Sequence, residues 1–385
     1  MLDFNYYNPT EIIFGENRLE ELNEKIENSS RVMITYGGAS AKKYGTVDKV
    51  KKALGERKVI EFSGIEANPK FETLMEAVKL AKKEDIDFIV AIGGGSVMDG
   101  TKFISLAMHY DKEPQDILAH GFEHVPAVKA TPFGCVVTLP ATGSEMNPAA
   151  VITLGGHKLP MMSPLVFPKF SFLDPLLTKT LPKEQIANGV VDAFIHVIEQ
   201  YLTYPVDARV QDRAAEGVLQ TLLEVGEKTY NDNDDLNARK NFMWAATSAL
   251  NGSLGAGVPQ DWTTHMIGHE LTAQYGIAHG RTLTIVLPSL LRERKEKKRE
   301  KLLQYAQRVW KITDGSDDEK IEKAIQKTES FFNSLDIKTK LSDYGIDDNG
   351  IDSIVSNLEK LGMTALSETE DLGLDTVRKI LIAAK

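Results

Sequence analysis

The sequence predicts a two-domain protein, with an N-terminal α/β domain built on a doubly wound parallel sheet and an all-helical C-terminal domain. At 385 residues the chain exceeds one ordinary domain. Short apolar strands alternate with helices in the first half, which is typical of a parallel sheet covered on both faces. Long helical periodicity dominates the second half. We place the two domains at residues 1–178 and 179–385.

Four apolar runs in the first half each end in a turn and are predicted as strands. In chain order they are "RVMITYGGAS", "KVIEFS", "DIDFIVAIGGGS" and "GCVVTLPATGSE". The periodicity of the intervening segments predicts helices over residues 41–54, 70–83 and 97–107. This alternation is the pattern of a parallel sheet with crossover helices.

From about Lys183 the pattern changes to long helices. The segments "ANGVVDAFIHVIEQYL" and "RAAEGVLQTLLEVGEK" both place apolar residues at i, i+3 and i+4. The turn-rich "LDPLLTKTLPKEQ" (173–185) marks the junction between the two domains. One strong charge run, "RERKEKKREK" (292–301), is interpreted as a solvated helix face because its charges have mixed sign.

Composition and charge narrow the classes of function. The net charge of −10 argues against nucleic acid or an anionic membrane surface as the main partner. No apolar run approaches the ~20 residues of a membrane helix, and the start "MLDFNYYNPTEIIFG" lacks the basic and apolar segments of a signal peptide. The single cysteine, Cys135, fits a reducing compartment. We therefore expect a cytoplasmic protein with no nucleic-acid or membrane partner.

Small, polar turns follow three of the predicted strands. The segment "AIGGGSVMDGTK" departs from the G-x-G-x-x-G dinucleotide motif, since Met98 stands where the third glycine belongs, and alone it fits a tight turn equally well. The turns "YGGAS" and "TLPATGSE" end two further strands. Ligands of open α/β sheets bind outside the carboxyl ends of the strands. Together the three turns predict a nucleotide-binding crevice.

The first of these turns bears on the choice of cofactor. An acidic residue there would hydrogen-bond the 2′-hydroxyl of NAD and repel the 2′-phosphate of NADP. Ala39 and Ser40 occupy the turn instead, and Lys42 and Lys43 follow closely. The sequence therefore favours NADP(H) over NAD(H).

Side chains with metal-ligand spacing occur twice in the second half. Asp192 and His196 lie four residues apart on a predicted apolar helix, so both project from the same face. The segment "HMIGHELTAQYGIAHG" adds His265, His269 and His279. One carboxylate with three imidazoles suits Fe²⁺ or Zn²⁺. Spacing alone does not decide which two of the three C-terminal histidines bind the ion.

These motifs resemble the iron-containing alcohol dehydrogenase family, from "NPTEIIFG" near the start to the histidine-rich segment. The resemblance covers essentially the whole chain and is strongest to the branch of NADPH-dependent aldehyde reductases, also named butanol dehydrogenases. It implies metal ligation by Asp192, His196, His265 and His279, with His269 beside the metal as a catalytic, proton-handling residue. It leaves open whether the metal is Fe²⁺ or Zn²⁺, and it implies a homodimer.

The resemblance also implies which residues line the cofactor crevice. Most are small or polar residues of the strand-end turns, and one is a lysine near the nicotinamide ribose, Lys158. The implied set is Gly37, Gly38, Ser40, Asn68, Gly94, Gly95, Ser96, Asp99, Thr138, Thr142, Asn147 and Lys158.

The expected function is that of a metal-dependent, NAD(P)H-linked alcohol dehydrogenase working as an NADPH-dependent reductase of short- and medium-chain aldehydes. Alternatives with a similar layout are a glycerol dehydrogenase-like polyol oxidoreductase and a dehydroquinate synthase-like lyase. The lyase would need basic groups for a phosphorylated substrate, and the histidine-rich segment has no Lys or Arg before Arg281. A non-catalytic scaffold that binds metal and nucleotide is the remaining alternative.

Overall fold

The computed structural model describes all 385 residues, which form two compact units. An α/β unit comprises Tyr7–Leu181, and a helical unit comprises Pro182–Lys385 together with Met1–Tyr6. The boundary lies just after the one drawn from the sequence. The first six residues, assigned from the sequence to the α/β domain, pack with the helical unit instead, where the Leu2 N–H donates to the Gly257 carbonyl at 2.9 Å.

The strands all belong to the α/β unit. They are β1 (Glu11–Phe14), β2 (Arg31–Tyr36), β3 (Lys58–Phe62), β4 (Phe88–Gly93), β5 (Phe133–Val137), β6 (Ala149–Leu154), β7 (His157–Met162) and β8 (Phe170–Leu173). Six of them form one parallel sheet in the order β1-β8-β5-β4-β2-β3. The parallel α/β class predicted for this half is confirmed.

Helices connect the parallel strands. The α-helices of this unit are α1 (Leu22–Lys25), α2 (Ser40–Lys43), α3 (Thr46–Leu54), α4 (Phe71–Lys83) and α5 (Gly95–Ala107). Short 3₁₀ helices cover Leu19–Glu21, Pro114–Ala119, Ser144–Met146, Pro164–Val166 and Pro175–Thr178. The single helix predicted over residues 41–54 is wrong: Gly45 adopts a left-handed φ of 76° between α2 and α3, which breaks the helix.

The interior of the α/β unit consists of strands that are buried along their whole length. Every residue of β4 is buried, as expected for a strand in the middle of a parallel sheet covered on both faces. Gly134 on β5 is required by close packing, since a Cβ there would lie 2.1 Å from a ring carbon of Phe170. The Phe170 ring stacks on Phe88 at a centroid distance of 5.8 Å. This packing fixes the strands, and with them the turns at their carboxyl ends.

A separate antiparallel hairpin, β6-β7, was not predicted. Its six residue pairs run from Ala149 opposite Met162 to Leu154 opposite His157. The turn is Gly155-Gly156, and both glycines have positive φ, 59° and 83°. Gly-Gly between two alternating segments is a recognised hairpin signal. The segment "VITLGGHKLP" was therefore sufficient to predict this hairpin.

The remaining helices build the second unit, and its predicted all-helical class is confirmed. They are α6 (Lys183–Tyr201), α7 (Arg209–Asn231), α8 (Leu236–Ala249), α9 (Thr263–Tyr275), α10 (His279–Glu293), α11 (Arg299–Arg308), α12 (Asp317–Ser334), α13 (Asp348–Lys360) and α14 (Leu374–Ala383), with a 3₁₀ helix at Leu341–Tyr344. The α6 helix is buried on all sides from Gly189 to Tyr201, which is the mark of a central helix. None of the helices combines the length and apolar character needed to cross a bilayer.

The charge run at residues 292–301 does not form a solvated helix face. It spans the end of α10, the following turn and the start of α11. Arg294, Lys298 and Lys301 within it are buried, at 8%, 2% and 4% exposure. Each has an acidic partner, Asp371, Asp261 and Asp212 respectively. The prediction of a solvated face is wrong for these three cations. Pairing with a carboxylate allows a charged side chain to be buried in a protein interior.

Candidate functional site

Three helices of the helical unit carry the carboxylate and the histidines singled out from the sequence. Asp192 and His196 lie one turn apart on α6, His265 and His269 lie one turn apart on α9, and His279 is the first residue of α10. These helices pack closely because glycines stand at their crossing points. A Cβ on Gly280 would lie 2.6 Å from the Asn188 carbonyl oxygen of α6.

Asp192 lies at the centre of this histidine cluster. Its Oδ1 is 3.8 Å from His279 Nε2 and 3.9 Å from His196 Nε2. The ligand atoms offered by Asp192, His265 and His279 all lie within 4.8 Å of one another. Two atoms that each bind one Zn²⁺ at about 2.1 Å are separated by roughly 3–4 Å. These spacings therefore fit side chains that share one ion.

The electrostatics of the cluster also fit a cation. Asp192 is 4% exposed, and its Oδ1 is buried without a hydrogen-bond partner, a costly state for a carboxylate oxygen unless positive charge compensates it. Burial lowers the pKa of His196 to about 4, although Asp192 opposes the shift. His196 is therefore neutral at neutral pH, with a lone pair for a metal. The residues present fit a divalent ion.

The structure places the remaining two histidines around this group. The His196 ring stacks on His265 with 4.7 Å between centroids, although His196 is not part of the tight three-residue group. The His269 ring lies 5.1 Å from His279 and 6.1 Å from His265. His269 is 6% exposed, so it lies against the cluster without joining the three-residue group.

Two residues that contact the histidine cluster, Glu199 and Trp262, are not predicted from the sequence. Glu199 of α6 is buried beside His265, whose ring Nδ1 hydrogen-bonds to its Oε2. Burial raises the pKa of Glu199, and the negative charge of Asp261 raises it further. Hydrogen bonds from the backbone N–H groups of His265 and Thr264 oppose this rise. The Trp262 ring lies edge-on to His265 at 5.3 Å. The spacing from Asp192 through His196 to Glu199 is i, i+4, i+7, a helical stripe that would have pointed to Glu199.

In the α/β unit, predicted cofactor residues gather at the carboxyl ends of neighbouring strands. The strand order reverses between β2 and β4, since β2 pairs with β3 on one side and with β4 on the other. Such a switch point is where open α/β sheets bind ligands. The turn after β2 holds Gly37, Gly38 and Ser40, the turn after β4 leads into Gly94, Gly95 and Ser96, and the turn after β5 holds Thr138 and Thr142.

The N-terminus of α5 opens directly from the turn after β4. No side chain caps its first turn, and uncapped N–H groups at a helix start favour an anion. Gly95 is required there, since a Cβ would lie 2.5 Å from Thr142 Cγ2. The Asn68 N–H donates to Ser96 Oγ at 3.3 Å, which ties the turn after β3 to this helix start. The arrangement fits a bound phosphate group.

A buried lysine organises the turn after β5. Lys102 Nζ donates to Ser144 Oγ at 2.7 Å, to Asn147 Oδ1 at 2.9 Å and to the Ala149 carbonyl at 2.7 Å. Asn147 Nδ2 in turn donates to the Gly143 carbonyl at 2.9 Å. Burial lowers the pKa of Lys102 to about 8. The Asn147 side chain thus takes part in building the turn. Lys102, six residues after Ser96, is a structural residue that sequence reasoning did not identify.

Asp99 and Lys158 connect α5 to the unpredicted hairpin. Asp99 Oδ1 accepts from Ser144 Oγ at 2.6 Å, and its Oδ2 accepts from the Val151 N–H of β6 at 2.9 Å. Lys158 lies on β7 and is 8% exposed. Burial raises the pKa of the Asp99 carboxyl, and the charge of Lys102 and, to a smaller extent, that of Lys158 oppose this rise. The hairpin therefore brings Lys158 into the electrostatic environment of the α5 turn.

One of the two lysines near the first turn forms an ion pair with an acidic side chain. Glu61 on β3 lies 3.2 Å from Lys42 Nζ and 2.8 Å from Lys51 Nζ, and it accepts from Tyr36 OH at 2.8 Å. These donors, Lys51 first, lower the pKa of Glu61 to about 2. An acidic side chain therefore does lie beside the first turn, brought there by strand pairing, and it holds one of the two cations counted from the sequence.

Comparison with known families places both units in the same group of proteins. Residues 9–175 match the family described as iron-containing alcohol dehydrogenase. Residues 186–383 match the C-terminal domain of the Fe-containing alcohol dehydrogenase family. Each match falls entirely within one of the two structural units.

Individual relatives extend over nearly the whole chain. The chain is 53% identical to the NADPH-dependent aldehyde reductase YqhD of Escherichia coli, with 100% of both chains covered. It is 37% identical to the NADH-dependent butanol dehydrogenase A of Clostridium acetobutylicum, with 90% of each covered. The crystal structure of Escherichia coli YqhD superposes with a TM-score of 0.98 at 52% identity, covering 100% of this chain and 99% of that one.

Proposed function

Because this chain belongs to the iron-containing alcohol dehydrogenase family, we propose that it reduces short- and medium-chain aldehydes to alcohols with NADPH at one divalent metal ion. The family resemblance and the enzyme class expected from the sequence are confirmed by these matches. The observation that carries the proposal is the group of Asp192, His265 and His279, whose ligand atoms lie within 4.8 Å of one another.

The ion is held by Asp192, His196, His265 and His279 in this proposal. Three of these form the tight group, and His196 Nε2 lies 3.9 Å from the same Asp192 oxygen. Fe²⁺ and Zn²⁺ both accept one carboxylate and three imidazoles. When bound, such an ion supplies Lewis acidity that stabilises the negative charge growing on the carbonyl oxygen, an effect worth several kcal/mol of barrier.

NADPH is assigned to the turns at the strand ends of the α/β unit. The uncapped start of α5 receives the pyrophosphate, and Ser40 with Lys42 receives the 2′-phosphate. Lys158, buried on β7, serves the nicotinamide ribose. No acidic side chain stands in the turn itself, and the relative that is 53% identical is NADPH-dependent. These two observations support NADP(H) over NAD(H).

Proton transfer completes the reduction. When bound, NADPH would supply the hydride for the carbonyl carbon, and the product oxygen would then need one proton. His269 is the residue we assign to handing on this proton, because its ring lies 5.1 Å from that of His279 and is not in the tight three-residue group. A positioned histidine is a common general acid at neutral pH.

The substrate is proposed to be small and uncharged. No Lys or Arg occurs in the histidine-rich segment before Arg281, and Arg281 itself pairs with Glu184 at 3.3 Å. A phosphorylated substrate would need cationic side chains, so a neutral aldehyde fits better. We also propose a cytoplasmic homodimer without nucleic-acid or membrane partners, in keeping with the net charge of −10 and the family resemblance.

The test is an aldehyde panel on protein of known metal content. Purified protein is stripped with a chelator, reloaded with Fe²⁺ or Zn²⁺, and mixed with butanal and NADPH or NADH while cofactor absorbance is followed. We expect NADPH oxidation that requires the metal and is absent from Asp192→Ala. Metal-independent oxidation, or turnover of a polyol with no turnover of any aldehyde, would contradict the proposal.

A further inference from the structure

Glu199 continues the stripe of α6 that carries the proposed ligands. Asp192, His196 and Glu199 follow one another at i, i+4 and i+7 on a helix buried on all sides. Glu199 is 4% exposed. Burying a carboxyl group costs free energy unless its oxygens accept hydrogen bonds. The hydrogen-bond partners of Glu199 therefore indicate its role.

Both oxygens of Glu199 receive donors from the first turn of α9. Oε1 accepts from the His265 backbone N–H at 3.1 Å, and the Thr264 N–H also donates to this carboxyl group. Oε2 is hydrogen-bonded to His265 Nδ1. One side chain of α6 thus holds both the start of α9 and the ring of a proposed metal ligand.

We propose that Glu199 is a positioning residue that fixes the tautomer and the ring orientation of His265 for metal binding. The proposal rests on the metal centre of the proposed function. With Nδ1–H donating to Glu199, only Nε2 carries the lone pair of His265, and Nε2 is the atom left to bind an ion. Carboxylate partners of this kind raise the basicity of a ligating histidine and reduce the rotamer freedom lost on binding.

A glutamine at this position cannot reproduce the arrangement. If its amide oxygen keeps the backbone N–H bond of His265, its NH₂ group faces Nδ1. That donor forces the ring proton onto Nε2 and removes the lone pair needed for the metal. If the amide turns over, its NH₂ group faces the backbone N–H, and two donors oppose each other. Glu199→Gln therefore preserves shape while removing the tautomer control.

The experiment measures metal affinity directly. Metal-free Glu199→Gln and the unaltered protein are titrated with Zn²⁺ against a chromogenic chelator, and with Co²⁺ while its visible absorption is recorded. We expect Glu199→Gln to bind Zn²⁺ about 10- to 100-fold more weakly, with an altered Co²⁺ spectrum. The far-ultraviolet circular dichroism of the metal-free proteins should agree.

Two further variants make the outcomes distinguishable. Glu216→Gln alters another buried glutamate of the helical unit, which accepts from Tyr201 OH and not from a histidine; it should bind Zn²⁺ as the unaltered protein does. Asp192→Ala should lose Zn²⁺. Unchanged Zn²⁺ affinity in Glu199→Gln, or an equal loss of affinity in Glu216→Gln, overturns the role of Glu199 but leaves the metal centre intact. Unchanged affinity in Asp192→Ala, or no binding by the unaltered protein, overturns the metal centre and this inference together.

Discussion

Asp192 Oδ1 of α6 lies 3.8 Å from His279 Nε2 at the start of α10. The two residues are distant in sequence, so only the tertiary packing of these helices brings them together. The distance is too long for a hydrogen bond and fits two atoms bridged by one ion. Because Asp192 Oδ1 is also buried without a hydrogen-bond partner, this pair is the structural basis of the proposed metal centre.

The histidines of α9 should separate into a ligand and a proton carrier. His265→Ala is expected to lose both metal and activity. His269→Ala should keep the metal and lower turnover by about 10²–10⁴-fold, the usual contribution of a general acid. Metal analysis and steady-state kinetics of both variants check this. A metal-free His269→Ala together with a metal-loaded His265→Ala would reverse the assignment.

The turn after β2 should govern the choice between NADPH and NADH. Ser40 is exposed in the first turn of α2, so Ser40→Asp places a negative charge where the 2′-phosphate is expected. We predict a selective rise in the KM for NADPH with little change for NADH. Measuring both constants under identical conditions tests this, and equal effects on the two cofactors would remove Ser40 from the phosphate site.

Glu61 should weaken NADPH binding in the unaltered protein because it competes for a cation. Its carboxylate lies 3.2 Å from Lys42 Nζ, and releasing that lysine would leave it available to a 2′-phosphate. Glu61→Gln is expected to lower the KM for NADPH relative to NADH, whereas Lys42→Gln should raise it. Lys51→Gln is the matched control, since Lys51 also pairs with Glu61. If the two lysine variants behave alike, Lys42 has no special role.

Lys102 should lose its proton at an unusually low pH. Its pKa is lowered by burial from 10.5 to about 8. Between these values the unfolded chain binds a proton that the folded chain has released, so the contribution of this group to folding stability rises with pH. Side-chain NMR of ¹⁵N-labelled lysine, with Lys102→Met to assign the signal, checks the midpoint. A midpoint near 10.5 would show that burial does not act as described.

The sequence was sufficient for features encoded by local pattern. Apolar strands and amphipathic helices carry their own periodicity, so the parallel sheet and the helical second unit could be predicted. Asp192 and His196 could be paired because helical spacing places both on one face. The prediction of a single helix over residues 41–54 is wrong for a local reason, because Gly45 adopts a left-handed conformation between two shorter helices.

Features that depend on tertiary packing could not be derived in this way. Glu61 reaches Lys42 only because β2 and β3 pair. Lys298 is buried between Asp261 and Glu368, which belong to separate parts of the chain. The mixed charge of the run predicts a solvated face, and only tertiary packing brings the buried partners together. The spacing on α6 points to Glu199, but its hydrogen bond to His265 in the first turn of α9 depends on how the two helices pack.

The most direct test of the metal centre is a crystal structure of the metal-loaded protein with anomalous diffraction recorded at the absorption edge of the metal. We predict one strong anomalous peak in the helical unit, about 2.1 Å from Asp192 and from one ring nitrogen each of His196, His265 and His279. A peak bound by other side chains, or a fully loaded protein with no peak between Asp192 and His279, would contradict the account.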